Sequence, residues 1–484
     1  MLPLIIFALT LFGILRRPFG LGIWVYSSVG ALATLGLGLV EVGDLGIIFA
    51  LIWDSALTLI ALIVISFCLQ GLGFFEWLIF YVLKFCASLP RHATNPESRA
   101  ILGATLRINT PKAFVALILL SAVLSAVLAN DGAVLVLTPL VLGLFLRAKN
   151  ASAPQIIAFL FATAFVCDIS SNPLIISNLT NIITAHFHSI AFSDFALRMI
   201  LPNLFGIVGA LMLFLLLFRA PLRTPLIFRS LSKPKLQNAL FALHCALLVI
   251  FIASFFLSTH FDLPLSLNCA IYAGILLIAL WHKSRQKAIA TLSRAPFGII
   301  VFVFGLFVVV FGVQDFTEAQ NALFYALIAL YDKSEVLGIF GIASVSALGS
   351  SVINNLPMVL FGNLAIDEFF ASHFAIAQNM QNLAQNFAQN FDAPNLTNIP
   401  TQMLSQNLKE SFIYGHLLGC NIGSKLTPIG SLCTLLWLSI LAKSSIFAQK
   451  GIDFGFLRYC KYSLIFTLPT LFCASFGLWI SRFF

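Results

Sequence analysis

Two carboxylates and one ammonium stand inside stretches of this chain that are otherwise fit for hydrocarbon. They are Asp131 in SAVLANDGAVLVLTP, Asp168 in CDISSNPLIISNLTN and Lys425 in CNIGSKLTPIGSLCT. A charge at the centre of a bilayer costs on the order of 3 kcal/mol unless it is paired or hydrated, so groups placed there are functional candidates from the outset. The chemistry open to them is proton exchange and charge compensation. Lys425 is expected to pair with Asp168 or Asp131, and the three form the expected proton-coupling set; a purely structural ion pair is the alternative.

Neutral donors and acceptors crowd the same breaks. Asn130, Asp131, Asn172, Ser177, Asn178, Asn354, Asn355, Asn421, Ser424, Thr427 and Ser431 are the candidate substrate-binding residues, with Thr180 and Asn181 beside them. With Lys425 answered by carboxylates, such a set suits an uncharged polyhydroxy solute better than a multiply charged anion, which would want uncompensated arginines. Cys167 and Cys420 are candidate soft ligands, although a thiol in an apolar segment is first of all a small packing residue. Asp54 reads as a relay group or, more simply, a polar contact between helices.

No enzyme signature accompanies these groups. The nine cysteines have no metal-ligand spacing, so neither a metal, a cofactor nor a disulfide is expected. HExxH is absent, and GCNIGSK departs from the GxxxxGK[ST] spacing of a phosphate loop and lies within a span. Energy must come from an ion gradient or from a separate subunit.

The elements that position these residues follow from composition. Of 484 residues, 60% are hydrophobic and 9% charged, with 49 Phe, which marks an all-α integral membrane protein rather than a soluble one. The excess of 27 Lys and Arg over 18 Asp and Glu reports cytoplasmic loops and implies no nucleic-acid partner. Basic residues cluster in the loops Lys84 to Lys112, Arg219 to Lys235, Lys283 to Arg294 and Lys443 to Lys461, while Asp194, Asp262, Asp315 and Glu318 fall in links placed outside.

The segment 112–146 is bounded by Lys112 and by Arg147 and Lys149, so it enters and leaves on one side. It reads as a re-entrant hairpin with its tip at Asn130-Asp131-Gly132, because non-helical backbone at membrane depth is tolerated only where it lines a cavity. Counting apolar segments, with 74–89 as one, predicts about eleven transmembrane helices and two hairpins, a cytoplasmic N-terminus and an external C-terminus. Arg16 and Arg17 then fall outside, against the charge rule.

The tip has a counterpart. SAVLANDGAVL from Ser125 aligns with SSVINNLPMVL from Ser350 at a shift of 225, and CDISSNPLIISNLTN from Cys167 with CNIGSKLTPIGSLCT from Cys420 at a shift of 253. By the charge count the two hairpins open to opposite sides. The chain therefore divides into inverted-topology repeats, 1–235 and 236–484, each with an interrupted helix, which is the pattern of a secondary transporter that binds near the midplane. A Gln/Asn-rich insertion, about 371–408, reads as an external loop with one surface helix.

The residues themselves resemble a known family. LANDGAVLVLTP, SSVINNLPMVLFG, GCNIGSKLTPIGSLCTLLW, WDSALTLIALIVISFCL followed by FFEW, and PLIISNLTNIITAHF are similar to the motifs of bacterial arsenite/antimonite efflux permeases, the ArsB-type members of the ion transporter superfamily. The resemblance implies export of trivalent arsenic or antimony as neutral trihydroxides across the bacterial inner membrane. It implies coupling to protons and, in some systems, a cytoplasmic arsenite-stimulated ATPase partner. Where the family commonly reads GCDLGPK, this chain has Asn421 and Ser424, which removes a carboxylate beside Lys425. A same-fold carrier of a carboxylate or of sodium against protons is the alternative, and a passive channel or intramembrane enzyme the alternative of a different class.

Overall fold

The computed structural model describes residues 2–88, 106–228, 234–258, 261, 263–313, 317–372 and 406–484. Asp262, Asp315 and most of the Gln/Asn-rich insertion lie outside these. The described chain is almost wholly helical, with nine helices long and apolar enough to cross a membrane and shorter apolar ones besides. A helix satisfies its own backbone, which is why this architecture suits a chain immersed in hydrocarbon.

One small sheet departs from the all-α expectation. Ala87–Ser88, Leu106–Ile108 and Leu226–Phe228 pair antiparallel in that order. The Lys149 amide donates to Ile227 O at 2.9 Å, and Thr110 Oγ1 donates to Thr224 O at 2.8 Å. Two of the basic loops and both outer ends of the 110–147 segment are thereby fastened together. Lys283 joins them, its ammonium donating to Leu72 O at 2.7 Å, and Arg458 and Lys461 lie beside Leu217 and Phe218. All four basic loops thus meet at one end of the molecule, the basic end.

Crossing the structure from there corrects the segment count. Helix Phe74–Phe85 does not leave the basic end: Glu76, Phe80 and Leu83 share a cavity with Arg147, Lys235 and Lys283, and Trp77 Nε1 donates to Asn238 Oδ1 at 3.1 Å. An aromatic-rich apolar face made it read as a span, but Glu76 and Lys84 keep it at the rim. The helices before it shift accordingly. Trp24 packs on Gly298, next to the basic loop that ends at Arg294, whereas Thr34 packs on Gly312 at the far end. Leu2–Arg16 runs antiparallel to Ile23–Gly36, with Thr10 against Gly30. Arg16 and Arg17 therefore lie at the basic end, where the charge rule wants them, and Leu2 at the far end.

The far end carries its own rim helix, Thr317–Lys333, which the apolar pattern did not reveal because Glu318, Gln320, Asn321 and Asp332 interrupt it. Three ion pairs gather there: Arg198–Glu410 at 2.6 Å, Lys409–Asp367 at 2.7 Å and Arg482–Glu335 at 2.9 Å.

Two helical hairpins reach inward from these ends. The first is Thr110–Leu128 and Asn130–Arg147, broken at Ala129 with φ 63 and ψ 148; its base is at the basic end. The second is Glu335–Ile353 and 355–372, broken at Asn354 with φ 78 and ψ 153; its base is at the far end. Ala129 and Asn354 are themselves related by the shift of 225. A non-glycine residue at such angles costs on the order of 1–3 kcal/mol, and strain of this kind gathers at functional sites.

The interrupted helices match as closely. Ala153–Ile169 gives way to extended Leu174, a 3-10 turn Ile175–Ser177, extended Asn178 and helix Leu179–Phe187. Gln406–Gly423 gives way, after a 3-10 turn Ser424–Leu426, to extended Thr427, a 3-10 turn Pro428–Gly430, extended Ser431 and helix Leu432–Ala442. At a shift of 253 the extended residues, the second turn and the resumed helix coincide, so the two breaks share one backbone path.

Candidate functional site

The four breaks meet in the interior, and the ionisable groups meet with them. Lys425, in the turn Ser424–Leu426, extends its ammonium to the Asp168 carboxylate and to the Thr434 hydroxyl. Both charged side chains are 3% exposed, so the pair is cut off from water. The second Asp168 oxygen accepts from Asn130 Nδ2 at 3.0 Å. One carboxylate, held in the last turn of Ala153–Ile169, thus touches the first hairpin tip and the second half at once. Asp131 lies beside the Cys433 thiol and within electrostatic reach of Lys425. The backbone of Lys425 is fixed by Ser463, whose hydroxyl donates to its carbonyl.

Each hairpin tip is pinned to the interrupted helix of its own half by hydroxyls. Ser125 donates to Cys167 O, and Ser350 to Gly419 O at 3.5 Å. Ser177 donates to Ala126 O at 2.6 Å, and Thr427 to Ser351 O at 2.6 Å. Asn354 Nδ2 donates to Ile429 O at 2.9 Å. Gly132, just past the first tip, sits so close to Ser66 that an added methyl would meet its hydroxyl at 2.5 Å, so the bare glycine lets the tip seat tightly against helix Asp44–Leu72.

The two halves are joined beside the ion pair by an amide cluster. Asn421 Nδ2 donates to Asn172 Oδ1 and to Asn181 Oδ1, each at 2.8 Å, and its own oxygen accepts from Thr180 and from Asn178 at 3.4 Å. The orientation of the acceptors is set elsewhere: Asn172 Nδ2 donates to Ile169 O at 2.7 Å, and Asn181 Nδ2 to Ser171 O and Leu174 O. A carboxylate at 421 would face two oxygens and have no proton to give. Asn421→Asp should therefore destabilise the purified protein by about 1–3 kcal/mol, read as a lower melting temperature. Because the two side chains have the same shape, a wild-type melting temperature in Asn421→Asp would show that the cluster uses the volume of the amide and not its protons.

Not every candidate joins the centre. Ser424 donates to Asn421 O at 3.0 Å. Asn355 and Ser431 are buried at the starts of the helices that resume after each break. Cys167 donates weakly to Ser121 O at 3.8 Å, whereas Cys420 packs on His416 at 3.6 Å, so the two thiols have different partners. Asp54 accepts from the amides of Ser266 at 2.9 Å and Leu265 at 3.2 Å; it caps helix Leu265–Lys283, a contact between helices. Among the described residues no three His, Cys, Asp or Glu side chains converge as metal ligands.

Cys433, Thr434, Ser463 and His416 join these networks without having been singled out. The first three look like ordinary packing residues in apolar helices. His416 had one sequence signal, its spacing of four from Cys420 on a helix. Its Nδ1 pairs with Ser346 Oγ at 2.7 Å. A cavity of about 10 Å³ beside Lys425 and Thr434 is at the threshold for a single water.

The comparisons with known proteins bear on this arrangement. The family model for arsenical pump membrane proteins, ArsB, matches residues 2–399 and 375–482. An arsenical pump membrane protein of Escherichia coli is 31% identical over 475 residues, covering 96% of this chain and 95% of the relative. One from Yersinia enterocolitica is 32% identical over 473 residues with the same coverage. A putative arsenical pump membrane protein of Bacillus subtilis is 25% identical over 503 residues, covering 99% of each. The inward hairpins, the paired breaks and the charges at their meeting point thus belong to a chain of the arsenical pump membrane protein family.

Proposed function

We propose that this protein is a secondary active transporter that exports arsenite or antimonite, taken as the neutral trihydroxides, in exchange for protons. The observation that carries the coupling is the charge balance at the centre: Asp168 and Asp131 against Lys425, in a region with room for about one water. With all three ionised the group carries net −1, and one bound proton makes it neutral. Low dielectric makes that difference large.

Solute enters from the basic end while the carboxylates are ionised and is held by the neutral amides and hydroxyls of the breaks. A proton arriving from the far end on Asp168 or Asp131 weakens the attraction of Lys425 and the grip on Asn130. The hairpin tips then part from the breaks, and the solute leaves at the far end. Return of the proton at the basic end restores the pair.

The basic loops are assigned to the cytoplasm. The starts of the first helix and the ends of the last are then both external, in a multi-pass protein of the bacterial inner membrane. Repeats that open to opposite sides support alternating access. An arsenite-stimulated ATPase is an accessory partner in this reading, since the ion gradient drives the chain itself.

Arsenite uptake by everted vesicles containing this chain alone tests the proposal. Uptake should follow an imposed proton gradient and collapse with a protonophore. Uptake that persists without any gradient would indicate a channel, and none under any gradient would move the cargo to a carboxylate or to sodium. A cysteine placed at Asn130 gives a second check: labelling by a water-soluble thiol reagent should rise from one side or the other as conditions change. Permanent protection from both sides would rule out a solvent-reachable tip.

A further inference from the structure

Beyond transport, we propose that the cavity at the basic end is a binding site for an anionic phospholipid, held against the outer arm of the first hairpin. The cavity encloses about 530 Å³, and its chemistry is divided. Arg147, Lys235, Lys283 and Lys287 supply cations from three separate stretches of chain, and Glu76 is the one carboxylate among its lining residues. Its inner wall is apolar, built from residues such as Ile79, Leu83, Leu140 and Leu144. Excess positive charge over an apolar wall matches a phosphate head with its acyl chains, and basic pockets between membrane helices take lipid heads of this kind.

Its level in the molecule agrees. The Trp77 and Tyr81 rings pack 4.0 Å apart next to it, and Arg285 lies over the exposed Trp281 at 5.0 Å. Aromatic rings of this kind mark the interface between hydrocarbon and water. Helix Phe74–Phe85, lying along the rim with Phe85 83% exposed, presents its apolar side at the same depth, as interfacial helices do. A free inorganic anion would use the cations and leave the apolar wall unfilled.

The occupant would touch Pro139 and Gly143, on the arm that ends the first hairpin. Lipid bound there braces that arm against the helices Asp44–Leu72 and Leu265–Lys283. The site is distinct from the solute site: none of its lining residues belongs to the breaks.

The test uses the full-length protein purified in neutral detergent. Phosphatidylglycerol, phosphatidylcholine and inorganic phosphate are titrated separately while melting temperature and lipid retained in native mass spectra are followed. Phosphatidylglycerol should stabilise and be retained, and the other two should not. The double variant Arg147→Gln, Lys287→Gln should bind phosphatidylglycerol about thirtyfold more weakly, since each surface cation contributes ~1 kcal/mol toward an anionic lipid. Because a folding defect could mimic that loss, the melting temperature of the double variant without lipid is measured alongside, and Lys235→Gln serves as a second, independent variant. Equal stabilisation by inorganic phosphate, equal response to phosphatidylcholine, or undiminished phosphatidylglycerol binding in both variants would overturn the proposal.

Discussion

Lys425→Ala should give a protein that pumps no arsenite and has lost about 3–5 kcal/mol of stability, because removing one partner of a buried pair leaves the other charge uncompensated. Asp168 is the group left behind, since it receives the Lys425 ammonium directly. The double variant Lys425→Ala, Asp168→Asn should recover most of that stability, since an amide at position 168 can still accept from Asn130, and should remain unable to couple solute to protons. Lys425→Ala with Asp131→Asn should recover less, because Asp131 meets the Cys433 thiol rather than the ammonium. Melting temperatures of the purified single and double variants decide the matter. Strictly additive losses for both carboxylates would show that neither is energetically coupled to Lys425.

Gly423→Ala should be nearly as damaging with no change of charge. A methyl at 423 would overlap Ala347 Cβ and Ala347 Cα. Those atoms are the main-chain Cα and the first side-chain carbon of a residue near the tip end of the second hairpin's first arm, so no side-chain rotation relieves the clash. The hairpin must move off the interrupted helix, which also draws Ser351 from its bond to Gly423 O at 3.0 Å. Overpacking of this kind costs about 1–3 kcal/mol, and transport should fall to background because the second tip no longer seats. Gly274→Ala is the control: nothing lies within 4 Å of a methyl there, and in mid-helix the change should stabilise by about 0.5–1 kcal/mol. Wild-type uptake in Gly423→Ala would show that the hairpin and helix need not meet so closely.

Much of this was legible in the sequence because polar residues in an apolar run are expensive and therefore few. Asn130, Asp168, Asn354 and Lys425 stood out on that ground alone, and shifts of 225 and 253 related the stretches that hold them in pairs. That the four basic loops share one end was legible from Lys and Arg. What failed was the distinction between a helix that crosses and one that lies along a rim. Phe74–Phe85 is as apolar as a span but too short, and only the cavity it lines together with Arg147, Lys235 and Lys283 reveals its course. Thr317–Lys333 was missed for the converse reason, with polar residues enough to hide a helix. The partners of the central pair were equally hidden: Thr434 and Cys433 carry no pattern of their own and matter only because the fold places them against Lys425 and Asp131.

The bases of the two hairpins are fastened by different kinds of bond. Main-chain pairing between Leu106–Ile108 and Leu226–Phe228 ties down the first, and such pairing is indifferent to dissolved ions. The second is held by Glu335 to Arg482 and by Asp367 to Lys409, with the carboxylates 42% and 49% exposed, and exposed pairs weaken as added salt shortens the Debye length from about 8 Å at physiological ionic strength to about 3 Å at 1 M. The molecule is thus a stiff spring at its basic end and a compliant one at its far end, and the salt concentration at the far end sets the compliance. Raising the salt around the far end would loosen the hinge of the second hairpin while leaving that of the first as it was.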